Sequence, residues 1–273
     1  MKYFEYEISG IDGSAAKFVG YCLDNSEEIV PDRVRPSVLV IPGGGYEMTS
    51  DREAEPIAIQ FLAAGFNAFV LRYSVKPSVF PVALLEAADA MTMIREHDTE
   101  WHVDPDAIAV IGFSAGGHLA ANLATSTSDD VLVAHGYDPD AVRPNGLMLA
   151  YPVITSGPLA HRGSFDSLLG ERRNDSEALE SVSIERHIDA KTPPVFVWHT
   201  VPDEVVPYEN TLMLIDACKK AGVSIEAHLF PQGGHGLSLG TAETAWQGVS
   251  GIEPSIQIWP QLAVSWMRRT FAR

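Results

Sequence analysis

The amino-acid sequence predicts an α/β protein whose central sheet is mostly parallel and carries helices on both faces. Two observations predict this class. Short continuous apolar runs, typical of strands buried on both faces, alternate along the chain with longer segments whose apolar residues recur at helical spacing. Consecutive parallel strands also need crossover connections, which the helical segments supply. The apolar runs are residues 37–41, 67–71, 109–113, 145–150 and 194–199.

Composition limits the number of domains, the classes of expected partner and the roles of the cysteines. The 273 residues, 46% of them hydrophobic, suffice for one large core, and we expect a single domain over residues 1–273. A net charge of -17 would repel phosphate backbones and anionic lipid heads, so neither nucleic acid nor a membrane is an expected partner. Cys22 and Cys218 lie far apart in sequence, which indicates neither a disulfide framework nor a structural zinc site.

The N-terminus does not resemble a targeting segment. Residues 1–8 contain acidic side chains and lack the uninterrupted apolar stretch of a secretory signal. The sequence also contains no uncharged apolar stretch of about 18 residues, which argues against an ordinary transmembrane helix. We therefore expect a cytoplasmic protein.

The first part of the chain opens with an antiparallel pair before the alternation begins. The next helical segment stops at Gly65, a typical helix end. Its apolar residues are Ile57, Ile59, Phe61 and Leu62. In order, the predicted elements are strands at 3–8 and 16–23, a strand at 37–41, a helix at 52–64, a strand at 67–71 and a helix at 81–95.

The second part continues the alternation but contains a polar interruption. Residues 154–191 are rich in charge, with one apolar patch at 164–170. We expect them to form a small cap-like insertion over the functional site of the protein. After it come a strand at 194–199, a helix at 208–220, a strand at 224–230 and a terminal helix at about 255–272. The terminal helix has one apolar stripe, formed by Trp259, Leu262, Trp266 and Met267.

Ser114 lies where a buried strand meets a helix of small residues. Residues 109–121 read AVIGFSAGGHLAA, and the serine stands between glycines two positions away on each side. Only glycines there let the strand and the helix pass closely enough to hold a serine hydroxyl out at the corner. The GFSAG motif at 112–116 is therefore a candidate nucleophile elbow.

A second glycine-rich turn follows the strand at 37–41. Residues 42–46 read PGGGY, and consecutive glycines can turn several backbone N–H groups toward one point. This loop is a candidate oxyanion hole. A phosphate-binding loop is the competing reading, but neither a following G-K-S/T nor G-x-G-x-x-G spacing is present.

An acid and a histidine follow the next strands. A serine hydroxyl needs an imidazole to take its proton and a carboxylate to orient that imidazole. Asp203 follows the strand at 194–199, and His235 lies in the loop PQGGHGL after the strand at 224–230. Since catalytic loops cluster at the carboxyl ends of parallel strands, we expect Ser114, Asp203 and His235 to form a catalytic triad.

The order Ser114, Asp203, His235 resembles that of the α/β-hydrolase superfamily. More closely, the chain is similar to bacterial acetyl esterases and acetyl-xylan-esterase-like proteins, in the motifs IPGGGY at 41–46, GFSAGGH at 112–118 and YPV at 151–153 and in the Asp203 and His235 loops. The resemblance implies an α/β-hydrolase fold. It also implies that the N–H groups of Gly44, Gly45 and Ala115 bind the oxyanion. Pro42 departs from the lipase-like pattern, which has histidine there.

Other residues compete for these roles. Glu204 could replace Asp203 as the triad acid, although Asp203 fits the D-x-x-V-P loop of the resembled family. His118 follows Ser114 by one helical turn, and we expect it to be a hydrogen-bonded core histidine that points toward the sheet. The remaining histidines show no metal-binding spacing, so we expect neither metal nor cofactor. These histidines include His161, His199 and His228.

The function expected from this constellation is hydrolysis of carboxylic esters through an acyl-enzyme. The resemblance further implies that acetyl or other short acyl groups are removed from sugars or xylo-oligosaccharides. A general short-chain carboxylesterase or a peptidase of the same fold is the alternative among enzymes. A hydrolase-like binding module is the alternative among non-enzymes, but such modules usually lack a triad member and none is missing here.

Overall fold

The computed structural model describes residues 1–272, which contain one eight-stranded sheet. The strands lie in the order β1-β2-β4-β3-β5-β6-β7-β8. β1 pairs antiparallel with β2 and β2 with β4, while all other neighbours are parallel. The strands are β1 Lys2–Ser9, β2 Ala15–Cys22, β3 Arg35–Ile41, β4 Asn67–Arg72, β5 Val103–Phe113, β6 Gly146–Ala150, β7 Val195–Thr200 and β8 Ile225–Phe230.

Helices cover both faces of the sheet, which confirms the predicted class. α1 and α10 pack on one face, while α2, α4 and α9 pack on the other. None of the helices in residues 1–272 has the length and apolar character required to cross a bilayer. The α-helices are α1 Glu55–Ala63, α2 Val82–Glu96, α3 Asp98–Trp101, α4 Ala115–Ala124, α5 Asp129–Ala134, α6 Pro139–Val142, α7 Arg162–Leu169, α8 Ser176–Ser181, α9 Glu209–Ala221 and α10 Trp259–Thr270.

The continuous apolar runs are explained by burial on both sides of the sheet. In β3, Val38 and Val40 belong to the core on the α1 and α10 side, while Leu39 and Ile41 belong to the opposite core. Successive side chains of a strand point to opposite faces, so a strand covered on both faces needs apolar residues at every position. The central strands therefore lack the alternation seen in half-exposed sheets.

Two predicted helices begin later in the structure. Residues Asp51–Glu53 form a separate 3-10 turn, and α1 starts only at Glu55. Within α1, Ile57 and Phe61 are buried one turn apart, whereas Ile59 lies between them on the opposite side and is 56% exposed. The terminal helix α10 likewise follows a 3-10 turn at Pro254–Ile256.

The charged segment 154–191 folds into the short helices α7 and α8. Its apolar patch anchors it, since Phe165, Leu168 and Leu169 are all buried in the core on the α2 and α4 side. The backbone carbonyl of Leu168 accepts a hydrogen bond of 2.7 Å from the N–H of Phe80, just before α2. The segment thus packs beside the carboxyl ends of the parallel strands.

Candidate active site

Ser114 stands at a sharp corner between β5 and α4. Its φ of 51° lies in the left-handed region, where a non-glycine residue costs about 1–3 kcal/mol. A Cβ on Gly112 would lie 2.3 Å from the carbonyl oxygen of Gly116, and one on Gly116 would lie 2.2 Å from that of Pro42. Glycine is therefore required on both sides of the corner, as the motif predicts.

Ser114, His235 and Asp203 form one chain of hydrogen bonds. Ser114 Oγ lies 2.8 Å from His235 Nε2, and His235 Nδ1 lies 2.7 Å from Asp203 Oδ2. Since a carboxylate only accepts, Nδ1 carries the proton and Nε2 is left to accept from the serine hydroxyl. The neighbouring Glu204 is exposed to solvent, and the carboxylate that is hydrogen-bonded to His235 is that of Asp203.

The Asp203 carboxylate is buried, and both of its oxygens are hydrogen-bonded. Oδ1 accepts from the backbone N–H groups of Val205 and Val206, at 2.9 and 3.0 Å. Oδ2 accepts from His235 and, at 3.2 Å, from Nε2 of His199. Burial would raise the pKa of Asp203, but the hydrogen bonds from His199 and His235 outweigh it and hold the pKa well below its usual value. Asp203 is therefore ionised at neutral pH.

His199 is a second imidazole at this carboxylate, although the sequence offered no spacing that singled it out. It is fully buried on β7. Its Nε2 also lies 3.0 Å from the carbonyl oxygen of Val206, and its Nδ1 lies 2.8 Å from Thr211 Oγ1. Because both partners of Nε2 are acceptors, Nε2 carries the proton and the threonine hydroxyl donates to Nδ1. With a proton on Nε2, His199 satisfies all of these partners and fixes Asp203.

The glycine loop after β3 lies beside Ser114. Gly44 and Gly45 have φ values of 133° and 66°, which turn the backbone into a conformation that favours glycine. Within the described residues, nothing accepts a hydrogen bond from the N–H of Gly44 or Gly45. The N–H of Ala115, first in α4, has no intrahelical acceptor either. These are the three donors named from the sequence.

His118 connects the glycine loop to the 154–191 segment. Its Nδ1 lies 2.8 Å from the hydroxyl of Tyr46, and its Nε2 lies 2.7 Å from the carbonyl oxygen of Val182. Burial lowers the pKa of His118 to about 4, so the ring is neutral at physiological pH. His118 is a hydrogen-bonded core histidine, but it faces Tyr46 and Val182 rather than the sheet.

Glu53 is buried, at 4% exposure, and connects the glycine loop to the loop that carries His235. One carboxylate oxygen accepts from the N–H of Gly43 at 2.9 Å, and the other accepts from the hydroxyl of Tyr151 at 2.6 Å. The Tyr151 oxygen in turn accepts from the N–H of Ser238 at 3.0 Å. The Tyr151 ring also contacts the His235 ring in a T-shaped arrangement, with centroids 5.0 Å apart. Glu53 therefore fixes the positions of the glycine loop and the His235 loop relative to each other.

Glu53→Gln is expected to lower the free energy of unfolding by about 1–3 kcal/mol, the usual cost of a buried group left without a partner. Glutamine has one acceptor oxygen, so either the Gly43 N–H or the Tyr151 hydroxyl proton loses its acceptor. Urea denaturation measures the change. Asp51→Asn is the matched control, because it removes the same charge from a side chain that is 88% exposed. Equal stabilities of the two variants would contradict the bridging role.

A cavity of about 480 Å³ opens onto Ser114 and His235. Its walls come from the glycine loop, the 3-10 turn before α1 and the loops after β7 and β8. From the 154–191 segment only His161 reaches it, so the expected cap supplies little of the wall. Among residues 1–272, no cluster of three or more histidine, cysteine or acidic side chains could hold a metal ion. The other lining side chains include Glu47, Met48, Ser50, Arg52, Val205 and Trp246.

A sequence profile of the BD-FAE family matches residues 29–217 of the chain. Endo-1,4-β-xylanase B of Butyrivibrio fibrisolvens is 35% identical over 80% of this chain and 35% of its own length. The chain therefore spans about a third of that relative.

Solved structures match over nearly the whole chain. One is MGS-M1, an α/β hydrolase enzyme from a Medee basin deep-sea metagenome library, at 37% identity and a TM-score of 0.79, covering 98% of each chain. Another is the acetyl ester-xyloside bifunctional hydrolase from Caldicellulosiruptor lactoaceticus, at 36% identity and a TM-score of 0.80, covering 94% of this chain and 88% of that one. The α/β-hydrolase fold expected from the motifs is thereby confirmed.

Proposed function

Since the chain belongs to the BD-FAE family and has the α/β-hydrolase fold, we propose that it is a serine esterase that hydrolyses carboxylic esters through an acyl-enzyme. One observation carries this proposal. The hydroxyl of Ser114, the imidazole of His235 and the carboxylate of Asp203 are linked by hydrogen bonds of 2.8 and 2.7 Å at the wall of a cavity. This geometry fits a nucleophile, its general base and the group that orients the base.

In the acylation step, His235 Nε2 takes the hydroxyl proton as Ser114 Oγ attacks the ester carbonyl carbon. The tetrahedral intermediate then breaks its bond to the alcohol oxygen, and His235 gives that oxygen the proton. A water molecule repeats the sequence on the acyl-enzyme, which releases the carboxylic acid and regenerates Ser114. The ionised Asp203 stabilises the imidazolium that forms in each step.

Negative charge on the carbonyl oxygen needs donors that are already oriented. The N–H groups of Gly44, Gly45 and Ala115 suit this role, because they lie beside Ser114 and two of them are free of internal acceptors within residues 1–272. Loss of one such donor in a serine hydrolase costs about 2.7–4 kcal/mol of transition-state stabilisation. Glu53 and His118 support this loop from behind.

The substrates we propose are acetyl or other short acyl esters of sugars or xylo-oligosaccharides. Support comes from a structural relative of 36% identity that is named an acetyl ester-xyloside bifunctional hydrolase.

Labelling with a fluorophosphonate probe tests the reaction class directly, since the probe modifies only an activated serine. Labelling of the parent protein but not of Ser114→Ala would support the proposal. Absence of labelling in the parent would contradict it.

Among p-nitrophenyl esters, we expect kcat/KM to be highest for acetyl or propionyl and to fall steeply beyond butyryl. Each buried methylene contributes about 0.8 kcal/mol only where an apolar surface lies against it. The 154–191 segment buries its apolar residues in the core and brings only His161 to the cavity, so no broad apolar cap is available. A series from acetyl to decanoyl, with the alcohol kept constant, measures this. A maximum at octanoyl or longer would refute the short acyl pocket.

A further inference from the structure

Trp246 is a large apolar side chain left open at the candidate site. The residue is 53% exposed, and it lines the same cavity as Ser114 and His235. Tryptophan stabilises a protein or a complex by burying a large apolar area. An indole exposed at a cavity wall lacks this stabilisation, and a ligand that covers the ring would supply it. None of the steps attributed to the triad uses this residue.

The indole is held in place before any ligand binds. Trp246 and Ser250 exchange backbone hydrogen bonds of 2.7 and 3.2 Å, which close the turn that carries the ring. The guanidinium of Arg52 lies 5.5 Å from the ring centroid and donates to the carbonyl oxygens of Thr244 and Gly236, at 2.6 and 2.8 Å. A ring fixed in this way loses little conformational freedom on binding.

The same contacts decide which part of an ester the indole faces. Arg52 ties the Trp246 turn to Gly236, the residue after His235. His235 gives its proton to the leaving alcohol, so groups fixed beside it face the alcohol rather than the acyl chain. The glycine loop with Gly44 and Gly45 serves the carbonyl oxygen. A ring linked in this way to the residue after His235 is therefore assigned to the alcohol side of a bound ester.

A sugar ring fits this wall because it combines a flat face of C–H groups with hydroxyls around its edge. The indole supplies an apolar plane for the face, and the cavity also contains the polar side chains of Glu47 and Ser50. On the basis of the proposed esterase function, we infer that Trp246 is the platform on which the sugar ring of the leaving alcohol stacks.

Three ester substrates, two Trp246 variants and one control variant test the inference. We expect Trp246→Ala to lower kcat/KM for acetylated xylobiose, mainly through KM, by about 10- to 30-fold more than for ethyl acetate, whose alcohol has no ring. Trp246→Phe, which keeps a flat face, should recover much of this selectivity. Val249→Ala is the control, because Val249 is 80% exposed on the same turn and does not line the cavity.

Three results would overturn the platform: equal losses on both esters, no loss on either, or a larger loss on phenyl acetate than on the sugar ester. The last would mean that the ring accepts aromatic alcohols. Binding of unacetylated xylobiose, followed by NMR line broadening, separates the inference from the reaction. If the parent hydrolyses no ester but binds xylobiose only with Trp246 intact, the platform stands and the proposed function fails.

Discussion

Ser114→Ala is expected to lower kcat by about a million-fold, because members of a catalytic triad act as a unit and, in the proposed mechanism, the serine forms the covalent bond. The variant keeps a Cβ at this corner, so the strained backbone at a φ of 51° is no worse than in the parent. Removing Oγ leaves His235 Nε2 without its partner at 2.8 Å but does not disturb the bonds of Asp203. Steady-state hydrolysis of p-nitrophenyl acetate measures kcat, and thermal unfolding verifies the fold.

The matched control is Ser37→Ala, which removes the hydroxyl of a fully buried serine on β3. Among the described residues its Oγ donates to the Arg35 carbonyl alone, at 3.3 Å, before the carboxyl end of the strand. We expect this variant to lose some stability and to keep its kcat. Hydrolysis by Ser114→Ala within tenfold of the parent would contradict the role proposed for Ser114.

The elements that could be predicted from sequence are those whose conformation is determined by residues close to them in the chain. The corner at Ser114 requires glycines whose spacing is visible in residues 112–116, and the central strands are visible because both of their faces are buried. The proximity of Asp203 and His235 to Ser114 follows from one rule, that parallel strands present their carboxyl ends at one edge. Their catalytic roles stay proposals until the variants are measured.

The supporting residues could not be predicted, because their partners are distant in the chain. Glu53 and Tyr151 are 98 residues apart, and Tyr151 and Ser238 are 87 apart. An acidic residue in the polar stretch before a helix is ordinarily solvated, so nothing local marks Glu53 as buried. The sequence around Trp246 did not indicate a role for it either. The position of its ring depends on a contact with Arg52, which lies far away in the chain.

The segment 154–191 shows what composition alone leaves open. Its charge leads us to expect a small cap-like insertion over the site, but the placement of its side chains depends on what the apolar patch packs against. Phe165 contacts the ring of His118, with centroids 5.3 Å apart, and this draws the patch into the core. The apolar wall of the cavity comes instead from Met48, Val205 and Trp246.

Asp203→Asn is expected to lower kcat by about ten-thousand-fold, through the wrong tautomer of His235. The N–H groups of Val205 and Val206 both point at Oδ1, at 2.9 and 3.0 Å, so the amide oxygen must stay there and its NH₂ must take the place of Oδ2. The NH₂ then donates to Nδ1 of His235, which puts the ring proton on Nε2. An Nε2–H cannot accept the proton of Ser114.

Because the backbone N–H groups fix the amide, the variant should fold and still lose activity. His199 keeps one acceptor for its Nε2, the Val206 carbonyl at 3.0 Å, so the loop retains part of its support. Glu204→Gln is the matched control, because it removes the adjacent charge from an exposed side chain that makes no hydrogen bond to His235 among the described residues. Such surface substitutions usually change stability by no more than about 0.5 kcal/mol, and we expect kcat to stay close to that of the parent. Hydrolysis of p-nitrophenyl acetate ranks the two variants by kcat, and circular dichroism verifies that both are folded. A larger loss in Glu204→Gln than in Asp203→Asn would assign the acid to Glu204 and overturn the proposed triad.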